Sequence, residues 1–125
     1  MRKRRIWSSW WALKKIEAII RNERLPQVKD ALKSLGISGM TVYSVSGWSR
    51  GKEESLQWKG QPVAHDLIAK SKLEIIISDS QIDSVIASIT KNAQTGVHGD
   101  GILLVLPVEQ IVNIMTMDRD ENVVK

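Results

Sequence analysis

The sequence predicts a small α+β domain, because segments with the two-residue period of strands alternate with segments that have helical spacing. Two strand–helix–strand units of this kind flank a polar segment, residues 48–66, that has no clear period. A chain of 125 residues is long enough for one domain with a real core. The predicted architecture is therefore two βαβ units joined by a long loop.

The first unit consists of residues 14–47. Residues 14–20 place three apolar side chains on one face of a predicted strand. Residues 24–35 have one apolar stripe at helical spacing, with Pro26 in the first turn and Gly36 directly after the last. Residues 39–47 are rich in Thr, Val and Tyr, which favour a second strand.

The second unit begins with a predicted strand at residues 67–78, after which Asp79 or Ser80 is expected to cap a helix. Residues 102–106 are wholly apolar and predict another strand, which Pro107 ends. Residues 111–116 predict a short final strand. The expected buried stripe of the helix consists of Ile82, Val85, Ile86, Ile89 and Ala93.

This order is that of a ferredoxin-like βαββαβ sandwich, in which one antiparallel sheet carries two helices on one face. The strands at residues 75–77 and 102–106 nevertheless have apolar residues on both faces. A second apolar face needs a covering partner, so the pattern predicts self-association.

The predicted division of the chain has three parts: an extension at residues 1–13, the domain at 14–117 and a polar tail at 118–125. The extension combines four consecutive cations with three tryptophans, which suits an anionic membrane surface. Chain ends are usually untethered, however, so we expect it to be disordered or not native.

Composition excludes several classes of function. The formal charge of +4 comes from residues 2–5, because acidic and basic groups balance in the rest of the chain. The neutral domain gives no argument for nucleic-acid binding. There is no cysteine, hence no thiol chemistry. Without a membrane-length apolar run or a recognisable secretory signal, we expect a cytoplasmic protein.

The most informative segment is Gly-Val-His-Gly-Asp-Gly at residues 96–101. Glycine lets a ligand approach the backbone closely, and successive free N–H groups can bind an anion. The same glycines are typical of a tight helix-to-strand turn, so both interpretations stay open. His98 in this loop and His65 have no third ligand at a telling spacing, so we expect no metal site.

Three motifs together resemble the P-II nitrogen-regulatory signalling proteins: Lys-Lys-Ile-Glu-Ala-Ile-Ile-Arg at 14–21, Leu-Gly-Ile-Ser-Gly-Met-Thr-Val at 35–42, and Ala-Gln-Thr-Gly followed by Gly-Asp-Gly within 93–101. The resemblance implies a homotrimer with inward-facing sheets and adenine nucleotides in the clefts between subunits. It also implies that residues 48–66 form a loop that engages a metabolic enzyme or a membrane transporter. Such proteins are regulators and not enzymes.

The resemblance transfers the nucleotide site only in part. The matching positions are Thr41, Gly47, Arg50, Glu74, Gly99, Asp100 and Gly101. Where the family has phosphate-binding cations, this chain has Val97, Ile102, Asn113 and Met115. At about 1.5–3 kcal/mol per charged hydrogen bond, losing even three of these four donors is expected to weaken ATP binding at least ~10³-fold. ADP or AMP is therefore favoured over Mg-ATP, unless other cations such as Lys52 or Lys72 compensate.

Residues 48–66 also depart from the family. Gly51 replaces the glutamine that helps to hold magnesium and 2-oxoglutarate, so we expect neither the oxo acid nor a metal to bind. The family's modified tyrosine and serine correspond to Val63 and Gln61, which argues against covalent control. The residues expected to contact a partner are Trp58, Lys59 and Lys70.

Other functions remain open at this point. The cleft is an alternative site for a small anion such as bicarbonate, or it is vestigial in a ligand-independent adaptor that docks through Trp58 and Lys59. An RNA-binding module is disfavoured because the middle strands lack aromatic residues. An acylphosphatase-like enzyme is disfavoured because no arginine–asparagine phosphate cradle is evident.

Overall fold

A computed structural model describes residues 12–49, 56–58, 61–63 and 67–124 of the protein. The elements in chain order are β1 (Leu13–Ile20), a 3-10 turn (Asn22–Arg24), α1 (Leu25–Ser34), β2 (Thr41–Gly47), β3 (Leu56–Trp58), β4 (Gln61–Val63), β5 (Ile68–Ser78), a second 3-10 turn (Asp79–Gln81), α2 (Ile82–Ala93), β6 (Gly101–Pro107) and α3 (Glu121–Val124).

The main sheet has four antiparallel strands in the order β2-β5-β1-β6. The central strand β1 pairs with β5 on one side and with β6 on the other. The two strands of each βαβ unit are therefore not neighbours, because one strand of the other unit lies between them. The predicted ferredoxin-like α+β fold is confirmed.

The core lies between the sheet and the two long helices. On β1 and β5 buried residues alternate with half-buried ones, as expected for a sheet covered on one face. Val28 and Leu32 of α1 are buried, whereas Leu35 at its end is exposed. Val85, Ile89 and Ala93 of α2 are buried. The strand residues of the core are Ile16, Ala18, Ile20, Leu73, Ile75 and Ile77.

The opposite face of the sheet carries charged residues at its centre. Lys15 binds Glu17 at 2.8 Å and Glu74 at 3.5 Å, and Lys72 lies 3.6 Å from Glu17 and 3.4 Å from Glu74. The hydrogen bond with Lys15 outweighs partial desolvation and lowers the pKa of Glu17. These two lysines and two glutamates together carry no net charge. The exposed apolar residues of the same face lie mainly on the edge strand β6.

The helix that follows β5 is capped differently from the prediction. A 3-10 turn precedes α2, and Ser78, in place of Asp79 or Ser80, is the N-cap residue of that turn, whereas Gln81 is the N-cap residue of α2. The Gln81 side chain accepts hydrogen bonds from the Ser78 backbone N–H (3.0 Å) and hydroxyl (3.1 Å). Ser78 and Gln81 have the three-residue spacing of a capping box, which the sequence pattern contains but the prediction overlooked.

The predicted strand at residues 111–116 is wrong. The segment forms a turn, closed by an isolated bridge between Val112 and Arg119. The Asn113 side-chain oxygen accepts hydrogen bonds from the backbone N–H groups of Met115 and Thr116, each at 3.0 Å. Asparagine side chains compete in this way with the backbone hydrogen bonds between strands. Met117, later in the same turn, has a positive φ of 65°, which is not a strand conformation. The predicted polar tail, residues 118–125, contains α3.

The segment without clear period, residues 48–66, contains a hairpin. Strands β3 and β4 pair antiparallel, with Leu56 opposite Val63 and Trp58 opposite Gln61. Strands of three residues are too short to show a two-residue period, so periodicity did not reveal them. Predictions for residues 1–11 and for Arg50, Lys59 and His65 lie outside the described residues.

Within the described ranges, no helix is long and apolar enough to cross a membrane. The same part of the chain has no group of three or more His, Cys, Asp or Glu side chains arranged to hold a metal ion.

The start of β6 lies unusually close to the end of β1. Gly101 has a φ of 112°, and a Cβ atom built on it would be 1.7 Å from the Ile19 carbonyl oxygen. Only glycine accommodates both this backbone conformation and this approach. Gly101 therefore fixes how the glycine loop joins the sheet.

We predict that Gly101→Ala lowers the free energy of unfolding by more than about 3 kcal/mol, because backbone atoms of β1 or β6 must shift to relieve the clash. Urea denaturation at fixed protein concentration measures this loss. Gly39→Ala is the matched control, since Gly39 has no neighbour within 4 Å of its Cβ position. Equal midpoints for Gly101→Ala and the parent protein would contradict this description of the loop.

Candidate functional site

A cleft of about 300 Å³ opens at the end of the sheet where β2 ends and β6 begins. Glycines from two elements form part of its wall: Gly47 from the end of β2, and Gly99 and Gly101 from the glycine loop. Ile19, Val45, Trp48 and Ile102 contribute apolar surface. This volume is at the lower limit for small-molecule sites, and exposed backbone beside apolar walls suits a flat heterocycle.

The glycine loop that borders the cleft reverses the chain between α2 and β6. Gly96, Gly99 and Gly101 have φ values of 86°, 102° and 112°, all in the region that disfavours other residues. The structure confirms the interpretation of this loop as a turn, whereas its binding of an anion or another ligand stays a prediction. It is a tight helix-to-strand turn, and it exposes backbone to a cleft.

Asp100 holds this loop together from within. Its carboxylate accepts hydrogen bonds from the backbone N–H groups of Thr95 (2.7 Å) and Gly96 (2.9 Å), and from the Thr95 hydroxyl. Arg21, at the end of β1, donates from Nε to the same carboxylate at 3.0 Å. Asp100 was predicted as a nucleotide-binding residue; the structure places its carboxylate in contacts within the loop.

These contacts determine the acidity of Asp100. Partial burial favours the neutral acid, but the hydrogen bonds from Thr95, Arg21 and Gly96 stabilise the carboxylate more strongly. They hold the pKa of Asp100 far below its usual range. The loop is therefore built around a carboxylate that stays ionised at physiological pH.

Two cations tie the loop to the sheet: Arg21 directly after β1 and Lys70 in β5. Arg21 also donates from Nη2 to the His98 carbonyl oxygen at 2.8 Å. Lys70, near the start of β5, donates from Nζ to the Gly99 carbonyl oxygen. Lys70 was predicted from its position in the chain to contact a partner, and the structure places it in the wall of the cleft.

Thr41 and Glu74, also predicted for the nucleotide site, lie elsewhere on the sheet. They are paired across β2 and β5, six residues along the strand from Gly47. At about 3.3 Å per residue, that separation is about 20 Å. Glu74 accepts a hydrogen bond from the Tyr43 hydroxyl at 3.3 Å and interacts with Lys15 and Lys72. Within one chain, Gly47, Gly99 and Gly101 therefore line the same cleft, whereas Thr41 and Glu74 lie outside it.

The positions at which the resemblance implies phosphate-binding cations carry no charge in this chain. Ile102 is 60% exposed at the cleft, and Val97 is exposed in the glycine loop. Met115 is 86% exposed on the turn after β6. The Asn113 side chain is engaged in capping that turn.

Sequence reasoning missed two contributors to this site. Trp48 is 71% exposed and lines the cleft directly after Gly47. The signal that could have identified Trp48 is its place in the sequence directly after Gly47, a glycine already predicted for the site. Arg21 supports the loop from 79 residues away, and no local pattern identifies such a contact.

The fold and the cleft define a small ferredoxin-like α+β protein with a glycine-loop cleft at one end of its sheet. Residues 13–118 match the family model for the nitrogen regulatory protein P-II. The chain therefore belongs to the P-II family, whose members are regulatory proteins and not catalysts. This confirms the resemblance identified from the sequence motifs.

Individual relatives agree with this assignment. The chain is 47% identical over 106 residues to the nitrogen regulatory protein P-II of Porphyra purpurea, which covers 85% of this chain and 95% of the relative. It is 39% identical to that of Pasteurella multocida over 112 residues, 90% of this chain and all of the relative. The crystal structure of Arabidopsis thaliana PII bound to citrate is 37% identical, with a TM-score of 0.71, and the match covers 89% of this chain and 91% of the other.

We predict that Asp100→Asn lowers the free energy of unfolding by about 2 kcal/mol at pH 7, because charged hydrogen bonds become neutral ones. The folded-state pKa is depressed, so this stabilisation is complete above the unfolded-state pKa of about 4 and is lost as pH falls below it. Urea denaturation of both proteins from pH 7 to pH 3 should show the difference shrinking with acidity.

Asp30→Asn, on the exposed surface of α1, is the matched control, and we expect it to change stability by less than about 0.5 kcal/mol at pH 7. A difference between Asp100→Asn and the parent protein that does not change with pH would show that the carboxylate charge does not organise the loop.

Proposed function

We propose that the protein is a P-II-type regulator that binds a small effector in its glycine-loop cleft and controls a target enzyme or transporter through residues 48–66. The observation that supports this proposal is the preorganised loop. Arg21, Asp100 and Lys70 hold the backbone of Gly99 and Gly101 beside the cleft, so an effector meets a surface that is already formed. Nothing in this role requires a catalytic group.

The proposed assembly is a homotrimer. Gly47, Gly99 and Gly101 lie at one end of the sheet, and Thr41 and Glu74 lie about 20 Å away in the same chain. In a head-to-tail ring, the three glycines of one copy lie beside Thr41 and Glu74 of the next copy. Under this proposal all the predicted site residues, with Arg50, act together in the clefts between subunits.

The proposed effector is ADP or AMP and not Mg-ATP. Backbone groups of Gly47, Gly99 and Gly101 suit a base and ribose, whereas positions 102, 113 and 115 supply no cation for a triphosphate. Gly51 offers no side-chain oxygen for magnesium or for 2-oxoglutarate chemistry. A small anion such as bicarbonate is a further ligand class for the same loop.

The proposed output is binding through the hairpin of β3 and β4. Trp58 is the last residue of β3 and Lys59 follows it in the sequence, so this segment offers an aromatic residue and a cation side by side for a partner. The target is a metabolic enzyme or a membrane transporter, and the protein is cytoplasmic, reaching a membrane through such a transporter.

We predict that the purified protein elutes at three times the mass of its chain and binds ADP in calorimetric titration. Mg-ATP should bind at least ~10-fold more weakly, with no gain from 2-oxoglutarate. Gly47→Leu should weaken ADP binding at least ~10-fold, because its side chain enters the cleft while no atom lies within 4 Å of the Cβ position. Gly39→Leu, equally open but outside the cleft, is the control.

Tight Mg-ATP binding that 2-oxoglutarate enhances would overturn the proposed effector. Unchanged ADP affinity in Gly47→Leu would place the ligand elsewhere. No response to any adenylate or to bicarbonate would favour the ligand-independent adaptor that docks through Trp58 and Lys59.

A further inference from the structure

The segment before β1 carries the net charge of the protein. Residues 2–5 are four consecutive cations, and they account for the formal charge of +4 because acidic and basic groups balance in the rest of the chain. Three of the five tryptophans follow directly, at Trp7, Trp10 and Trp11. The proposed function uses neither group of residues.

The order of these residues favours a lipid surface as the partner. Cations are attracted to anionic headgroups, and tryptophan rings prefer the boundary between headgroups and acyl chains. Single-stranded RNA is bound by cations and aromatic rings that lie together along one groove. Here the cations and the tryptophans form two consecutive blocks, which suits a surface whose charge and apolar interior lie at different depths.

Residues 1–11 precede the described part of the chain, but the structure fixes the point at which they join it. Leu13, the first residue of β1, is buried, and its carbonyl oxygen accepts a hydrogen bond from the Val108 N–H at 3.2 Å. The Lys14 Nζ lies 2.9 Å from a carboxylate oxygen of Asp79. Val108 follows β6 and Asp79 follows β5, so the start of β1 is held from both sides.

This point lies at the end of the sheet opposite the glycine-loop cleft. Ile20, at the other end of β1, is paired with Gly101. Leu13 is seven residues from Ile20 along the strand, which corresponds to about 23 Å. Residues 48–66 also join the sheet at the cleft end, directly after Gly47. Within one chain, a surface bound at the start of β1 is therefore remote from the cleft.

We propose that residues 2–11 bind an anionic lipid surface directly and hold the protein there, with the cleft and residues 48–66 at the opposite end of the sheet. This contact goes beyond the proposed function, in which a membrane is reached through a transporter. The cations bind anionic headgroups, and the tryptophan rings lie at the boundary with the acyl chains.

The trimer proposed above strengthens this contact. Three-fold symmetry places the same point of every copy at one level along the axis, so three segments can bind one surface together. After the first segment has bound, the other two bind at a high effective concentration. Weak binding by each segment is therefore sufficient to hold the whole assembly.

The test is co-sedimentation of the full chain with vesicles of phosphatidylcholine, either alone or mixed with phosphatidylserine. We expect the parent protein to bind the mixed vesicles at least ~10-fold more tightly, and added salt to weaken this binding. Removing the four cations should weaken binding to mixed vesicles at least ~10-fold. Removing the three tryptophans should weaken it at least ~5-fold. The first variant combines Arg2→Gln, Lys3→Gln, Arg4→Gln and Arg5→Gln, and the second combines Trp7→Ser, Trp10→Ser and Trp11→Ser.

The matched control removes four exposed cations elsewhere on the surface and should bind mixed vesicles within ~3-fold of the parent protein. It combines Lys29→Gln, Lys33→Gln, Lys91→Gln and Arg119→Gln. Equal binding of the parent protein to both kinds of vesicle would overturn the inference, and so would a four-cation variant of residues 2–5 that binds like the parent. Tighter binding to single-stranded RNA than to mixed vesicles at the same salt would also overturn it, in favour of a nucleic-acid partner.

Calorimetric titration with ADP separates this inference from the proposed function. All the substitutions in residues 2–11 precede the core, so these variants should fold, which circular dichroism checks, and should bind ADP within ~2-fold of the parent protein. ADP binding without binding to mixed vesicles would overturn the inference and leave the proposed regulator standing. Binding to mixed vesicles without binding of any adenylate would support the inference and overturn the proposed effector.

Discussion

The carboxylate of Asp100 is the contact on which the functional end of the molecule depends. It draws the backbone N–H groups of Thr95 and Gly96 into one turn and pairs with Arg21 from the central strand. That turn delivers Gly101 against the Ile19 carbonyl, where no other residue fits. Because these contacts are internal, the loop is in place before any ligand arrives, which lowers the cost of binding.

The cleft has a preorganised shape, but it lacks the cations that the family resemblance implies for it. The glycines that expose backbone to the cleft are present, and so are the residues that hold them. The positions at which the resemblance implies cations are apolar or, at Asn113, engaged in capping a turn. Shape is maintained by contacts within the loop and sheet, whereas phosphate binding depends on a few side chains that contribute little to the fold. The two properties can therefore diverge independently.

Periodicity was sufficient for β1, β5 and the two long helices, because each of them buries one face. The edge strands β2 and β6 are mostly exposed in the single chain, and their composition predicted them instead. Periodicity failed for the three-residue strands β3 and β4, which are shorter than a recognisable repeat. It also failed at residues 111–116, where a strand-like apolar pattern is overridden by the hydrogen bonds of Asn113. The glycine loop was identified from composition, but the role of Asp100 depends on Arg21, 79 residues away. Long-range polar contacts of this kind leave no local signal.

The most direct test of this structure–function relationship is a crystal structure of the assembled protein with AMP. The relationship predicts a base beside Gly47 and Trp48 and a phosphate on the backbone of the glycine loop. A ligand bound away from Gly47, Gly99 and Gly101 would contradict it.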